Sequence, residues 1–194
     1  LIPSIMKNTL AIFVYTVLIY MISFTLIIND SMAQTNESQK FTVIKEFDKG
    51  QIRYYPPVMK IQSNNNFSSL FNYISGNNSD RKKISMTSPV YMGDSDGNNI
   101  MEFVLPQSFN SNNAPSALSN SVKVFESEPG YFLTLEFGGY ASSRNVRYYS
   151  AELTKIAQKN NLKAIGQPVL LVYDSPYKVI GRKNEMIIQI DANL

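Results

Sequence analysis

The chain contains no cysteine and no histidine. Without cysteine there are no disulfides, no thiolate metal sites, no thiol nucleophile and no lipidated N-terminal cysteine. Without histidine there is no Ser-His-Asp catalysis, no His-ligated zinc and no proximal histidine for a haem iron. Charge of one sign is scarce too. Lys+Arg 18 against Asp+Glu 15 leaves a formal +3, and the longest basic run is Arg81-Lys82-Lys83. A solvated turn accounts for that run, so no nucleic-acid partner is expected. No glycine-rich phosphate loop is present, and Gly138-Gly139 reads as a strand end or bulge. The carboxylates Glu102, Glu136, Asp174 and Glu185 are scattered, with no acid–base spacing. Glu136 reads as the solvent-facing position of an alternating strand, and Asp174, before Ser175-Pro176, as a turn former. The chain is therefore expected not to be an enzyme.

What is present is enough for one ordinary domain: 194 residues, 44% of them hydrophobic. Residues 1–33 read as a signal peptide or N-terminal membrane anchor. Lys7 precedes an uncharged, mostly apolar run from Leu10 to Ile28, and Ser31-Met32-Ala33 has the small-x-small form of a cleavage site. Cleavage after Ala33 is favoured over a retained anchor. In either case the following residues are expected outside the cytoplasm, periplasmic or secreted, with contact to a membrane only through this segment if uncleaved. Residues 34–40 are polar and expected as a flexible lead-in to a domain spanning 41–194.

The rest of the chain is arranged around Phe71 to Met92. Phe67, Leu70, Phe71 and Ile74 recur at helical spacing, Ser63 to Asn66 supply capping chemistry, and Gly76-Asn77-Asn78 stops the helix. Before it, Phe41 to Phe47 predicts a strand, Asp48-Lys49-Gly50 a hairpin turn, and Gln51 to Ile61 a returning strand whose Pro56-Pro57 belongs at an edge or bulge. After it come strands at Ile84–Met92 and Ile100–Leu105, with Asp96-Gly97 between them as a hairpin signal. A polar connection covers Gln107 to Asn120. Further strands follow at Ser121–Glu126 and Tyr131–Tyr140, then a helix from Ser143 to Asn160 with Val146, Tyr149, Leu153, Ile156 and Ala157 inward. Strands at Gln167–Tyr173 and Glu185–Asp191 close the chain.

The halves repeat one order: a helix ending near Asn-Asn, a strand beginning Pro-Val (Pro89-Val90; Pro168-Val169) and a strand opening Asn-x-Met (Asn99 to Met101; Asn184 to Met186). This predicts an α+β fold, a distorted antiparallel β-barrel from a duplicated βαββ unit with two helices packed on it.

An apolar helix ending Tyr73-Ile74-x-Gly76-Asn77-Asn78, a short gap, then Met86-Thr87-x-Pro89-Val90, resembles the SOUL haem-binding protein family. Tyr54 to Pro57, Phe103 to Pro106, Phe137 to Tyr140, Tyr173 to Pro176 and Arg182 to Glu185 follow the family's order, so the resemblance covers Phe41 to Ile190. It implies the barrel fold and a cleft for haem or another tetrapyrrole against the first helix and the loop joining the last two strands. Carried over, that names Phe67 and Phe71, and Ser175 to Arg182, with Lys178, Arg182 and Lys183 toward propionates.

The residues themselves offer an apolar cleft of Phe67, Leu70, Phe71 and Ile74 on the helix with Met92, Met101 and Phe103 from strands. With no His or Cys axial ligand, only an incidental iron ligand such as Tyr73, Met92 or Met101 remains. Asn64 and Asn72 stand where other members carry basic side chains. Two alternatives stay open: a small-molecule effector-binding or hydrolase cleft using a buried carboxylate such as Glu136, and a structural or protein-binding module whose cleft its own side chains fill.

Overall fold

The structure, a computed structural model, describes residues 37–95 and 97–191. The expected signal peptide or anchor (residues 1–33), the first residues of the lead-in and Asp96 of the expected Asp96-Gly97 hairpin lie outside the described residues. The described elements are β1 (Thr42–Glu46), β2 (Gln51–Tyr55), β3 (Met59–Ser63), α1 (Phe67–Ile74), β4 (Val90–Ser95), β5 (Asn98–Val104), β6 (Lys123–Glu126), β7 (Gly130–Gly138), α2 (Ser143–Lys159), β8 (Ala164–Val172) and β9 (Lys183–Ile190).

All nine strands join one sheet in the order β1-β2-β7-β9-β8-β4-β5-β3-β6, with every named pair antiparallel. The order reads the same outward from the central β4–β8 pair. β5, β3 and β6 follow on one side, and β9, β7 and β2 on the other, with β1 added at that edge. Each half carries its helix between the corresponding strands, α1 between β3 and β4 and α2 between β7 and β8. The duplicated βαββ order expected from the repeats is thus the topology of the sheet. Each half also lends a strand: β2 leads into β3 yet pairs with β7, and β6 leads into β7 yet pairs with β3.

Both helices lie on one face, as the register shows. Directly opposed residues of an antiparallel pair point to the same side. Met92 opposes Leu170 and Met101, Leu170 opposes Met186, and Val90 opposes Phe103 and Val172. Leu153 and Ala157 of α2 pack with Leu170, Met186, Ile188, Leu133, Leu135 and Phe137, while Leu70, Tyr73 and Ile74 of α1 pack with Ile61, Met101 and Phe103. Met92 touches both clusters, so one layer of side chains runs beneath both helices.

Local chemistry explains the element ends. Asn66 caps α1 by accepting from the Ser69 amide, and Ser142 caps α2 by accepting from Asn145. Asn78, wholly buried, closes the end of α1: its Nδ2 donates to the Tyr73 and Lys82 carbonyls at 2.8 and 2.7 Å, and its Oδ1 accepts from the Lys82 amide at 3.0 Å. Gly50, at φ 95°, makes the β1–β2 turn, where a Cβ would lie 2.3 Å from the Thr134 carbonyl oxygen.

Two strand expectations are corrected. Gln51–Ile61 is not one strand with a proline bulge, because Pro56 and Pro57 form a corner that sends β2 to one half and β3 to the other. Ile84–Met92 becomes a strand only at Val90. The stretch before it is held by other bonds, Ile84 N to Ile74 O at 2.8 Å and Thr87 Oγ1 to the Val104 carbonyl, and the Ser88–Pro89 peptide is cis. Ser88 also meets the residues before β1: Ser88 N donates to Glu37 O, Gln39 N donates to Ser88 O, and the Tyr91 hydroxyl bonds the Gln39 side chain at 2.6 Å.

Candidate tetrapyrrole groove and buried ion pairs

Each turn of α1 divides its side chains three ways. Leu70 and Ile74 point onto the sheet. Ser69 and Tyr73 face the connection before β6, where Tyr73 Oη donates to the Pro115 carbonyl at 2.5 Å and Ser121 Oγ reaches Ser69 Oγ. Phe67 and Phe71 take the opposite flank, toward β4 and the second half, because residues four apart stack on one helical face. Their rings are 5.8 Å apart and nearly parallel at 14°, each side chain is 47% exposed, and Phe67 also meets the buried Phe103 ring at 5.4 Å.

Over the β4–β8 seam lies a groove of about 440 Å³, whose lining reaches the α1 side at Asn65 and includes neither Phe67 nor Phe71. Met92, Leu170 and Met186 form its floor, and Ala141, Ser143, Val146 and Arg147 of the second half form a wall, with Asn65 at the start of α1 across from them. Following β4 and β8 from Met92 and Leu170 toward Val90 and Val172 leads to the β8–β9 loop. There Arg182 is buried, donating one Nη to the Ser175 and Lys178 carbonyls, both at 2.8 Å, with its guanidinium 4.8 Å from the Tyr140 ring centre. Its Nε and the Oδ1 of buried Asn184 have no hydrogen-bond partner. Lys178 is exposed and pairs with Asp174 at 2.7 Å. That bond, with the donation from Lys183 N, holds the Asp174 carboxyl below the usual aspartate range.

The expected cleft residues therefore separate. Phe67 and Phe71 are accessible, and Met92 is half-buried on the groove floor. Leu70, Ile74, Met101 and Phe103 are closed in the core beneath α1, and Tyr73, an incidental iron ligand by sequence, is buried with its hydroxyl committed to Pro115. Lys178 and Arg182 belong to the loop beyond the end of the floor, and Lys183 pairs with the exposed Glu136 at 3.0 Å. Leu170 and Arg147 were not singled out by sequence, and Val146 only as an inward residue of α2, because their place in the groove depends on pairing between halves.

On the face away from the helices the sheet closes on itself. Arg53 of β2 bonds Glu185 of β9 at 2.9 Å, and Tyr173 Oη donates to the same carboxylate oxygen at 2.7 Å. Burial alone would lower the Arg53 pKa, but the hydrogen bond and charge of Glu185 outweigh it and raise it. Burial, then the Glu185 charge, raises Tyr173. Lys60 pairs with Glu102 at 3.0 Å, 3.4 Å from the Tyr91 ring centre, and burial pulls its pKa down. The buried carboxylate of this fold is thus Glu185, not Glu136, and the chain's own Arg53 already sits against it. Among the described residues no group of three or more acidic side chains is placed to hold a metal ion.

A curled antiparallel sheet built twice, with both helices on one face, is the architecture of a duplicated βαββ domain. The sequence profile of the SOUL heme-binding protein family matches residues 36–189, and the chain belongs to that family. No curated protein matches the chain in sequence. Among solved structures the chain is similar to the EcmrR C-terminal domain (TM-score 0.51, 12% identity, 74% of this chain and 97% of that one). It is also similar to a hydrolase from Listeria innocua (TM-score 0.51, 10% identity, 84% and 97%) and to a chain of an EcmrR–DNA complex (TM-score 0.52, 11% identity, 96% and 69%). At these identities the likeness is one of fold.

Proposed function

We propose that the domain binds haem or another tetrapyrrole, without catalysis, in the groove over the β4–β8 seam, outside the cytoplasm. The observation that carries the reading is the Phe67–Phe71 pair. Two large aromatic side chains stay half-exposed and parallel on one flank of α1, although the helix they belong to has a well-filled core beneath it. A flat apolar ring buries against such a surface by area and stacking. Phe67, Phe71, Met92, Leu170 and Val146 would hold the ring, and Arg147 would meet its carboxylates. Bound haem would supply an iron centre. This chain offers it neither imidazole nor thiolate, and the protein's part is to bury the ring and exclude water.

The effector-cleft alternative is disfavoured by Arg53. A cationic ligand reaching Glu185 would have to displace a guanidinium held at 2.9 Å and strand it inside the protein. Titration with haemin and with metal-free protoporphyrin, followed by absorbance, tests the reading. Both are expected to bind with dissociation constants on the micromolar scale, because apolar area rather than iron ligation supplies the affinity. Binding of neither ring removes the reading. Haemin binding far tighter than the metal-free ring, with a low-spin six-coordinate spectrum, would show that a ligand to iron is in play.

A further inference from the structure

The most exposed large apolar side chains of the described residues lie together on one loop tip. Tyr177 is 90% exposed, Ile180 86% and Val179 69%. The base of the loop is fixed. Arg182, buried, ties the Ser175 and Lys178 carbonyls, Lys178 N donates to Ser175 O at 3.0 Å, and Asp174 accepts from Lys183 N at 2.6 Å. A tip held by this many bonds cannot fold its three apolar side chains under itself. Contiguous exposed apolar residues on a rigid support mark a contact surface.

The position of the tip says what it meets. Val172, the last residue of β8, opposes Val90, the first of β4. Two residues before Val90, Ser88 holds Glu37 and Gln39 through backbone bonds of 2.8 and 2.9 Å. The tip therefore projects from the same end of the sheet at which the chain arrives from its N-terminal side. Eight residues, Asn29 to Asn36, separate the uncharged run Leu10–Ile28 from that point, and eight residues reach at most about 28 Å. A run of that length and character spans a bilayer when it is retained. The chemistry of the tip agrees. Tyrosine favours the headgroup level, and isoleucine and valine the acyl boundary. Three apolar side chains hold a surface weakly alone, but a short tether raises their effective concentration there.

We propose that Tyr177, Val179 and Ile180 dock the domain onto a phospholipid surface. The proposal rests on the export reading in its uncleaved form and goes beyond ligand binding. It orients the domain, with the β8–β9 end against the bilayer.

The chain contains no tryptophan, so Tyr177→Trp introduces a single fluorophore at the tip and Ile165→Trp one at the far end of β8. Each full-length variant is made by cell-free synthesis with phosphatidylcholine–phosphatidylglycerol vesicles, where no signal peptidase acts, and recovered by flotation. The Y177W emission is expected to shift to shorter wavelength and to be quenched by brominated lipid, while that of I165W stays aqueous. Adding Val179→Asp and Ile180→Asp, at exposed positions, is expected to remove the quenching while the chain still floats. A chain that does not float overturns the anchor reading and the docking with it. A chain that floats with Y177W insensitive to brominated lipid overturns the docking alone. Quenching of Y177W by haemin but not by brominated lipid overturns it as well, and assigns the tip to the tetrapyrrole groove.

Discussion

Arg53 and Glu185 stand 132 residues apart in sequence and 2.9 Å apart in space, with side chains 7% and 0% exposed. The pair bolts β2, which belongs by sequence to the first half, to β9 of the second. It is made inside the closed face of the sheet, among Tyr55, Tyr173 and the ring of Phe41, whose centre lies 4.1 Å from the guanidinium carbon. Such a pair gains little against a well-packed apolar replacement, but losing one partner leaves an uncompensated charge indoors.

Arg53→Met is therefore expected to destabilise the domain by about 3–5 kcal/mol, and the double variant with Glu185→Leu by clearly less. Urea denaturation of the single and double variants measures this. Equal losses in both would show that the strands are joined by packing and not by the ion pair.

These charged residues mark the limit of what the sequence disclosed. Arg53, Lys60, Glu102 and Glu185 occupy the polar phase of alternating strands, and in a sheet with one wet face that phase points to water. Glu136 does point to water, as its alternation implied. The other four do not, because the curl of the sheet covers their face with Tyr91, Val104, Leu171 and Ile187 from strands far apart in sequence. Helix limits and the repeat were legible because they rest on local signals: Asn66, Ser142 and the 3.6-residue period. The split of Gln51–Ile61 at Pro56-Pro57 was not, since a proline pair reads alike as bulge or corner until the partners are known. The same holds for the groove. The Phe67–Phe71 flank followed from helical spacing, whereas the floor at Met92 and Leu170 exists only through pairing between the halves.

Asn78 tests how the end of α1 is held. Asn78→Ala would leave the Tyr73 and Lys82 carbonyls and the Lys82 amide short of a partner in a closed site, an expected cost of about 2–3 kcal/mol. Asn78→Asp should cost more, because it sets a carboxylate against two carbonyl oxygens. Thermal unfolding of the two variants checks the order, and a neutral Asn78→Ala would remove the residue from this role.

Tyr73 gives a pH dependence with a defined sign. Burial, and then the charge of Asp80, pushes its hydroxyl from the ordinary 10 up to about 12. The folded state keeps this proton longer than the unfolded chain does. The associated stability is thus complete below pH 10 and lost as pH rises from there toward about 12. Tyr73→Phe gives up the bond to Pro115, an expected loss of about 1 kcal/mol near neutrality, and should flatten part of the alkaline fall. Denaturation midpoints between neutral and strongly alkaline pH measure both effects. Lys60 has the opposite sign: with its pKa lowered by burial, its contribution improves as pH rises from the folded value to the ordinary 10.5.

Adjacent residues of α1 separate core from groove. Leu70 is fully buried among Ile61, Met101 and Phe103, so Leu70→Ala is expected to cost about 2–5 kcal/mol of stability by leaving a cavity. Phe71 is half-exposed and rests mainly on Phe67, so Phe71→Ala should change stability by no more than about 1 kcal/mol. For ligand binding the ranking reverses. Phe71→Ala removes one of the two stacked rings, and should weaken haemin and metal-free protoporphyrin by similar factors, since neither gains from an iron ligand here. Leu70→Ala, at temperatures where it remains folded, should leave both affinities near their starting values. Paired denaturation and titration of the two variants decides the matter. If Phe71→Ala leaves both titrations unchanged, the exposed aromatic flank of α1 does not carry the ring, and the groove over Met92 and Leu170 loses its principal support.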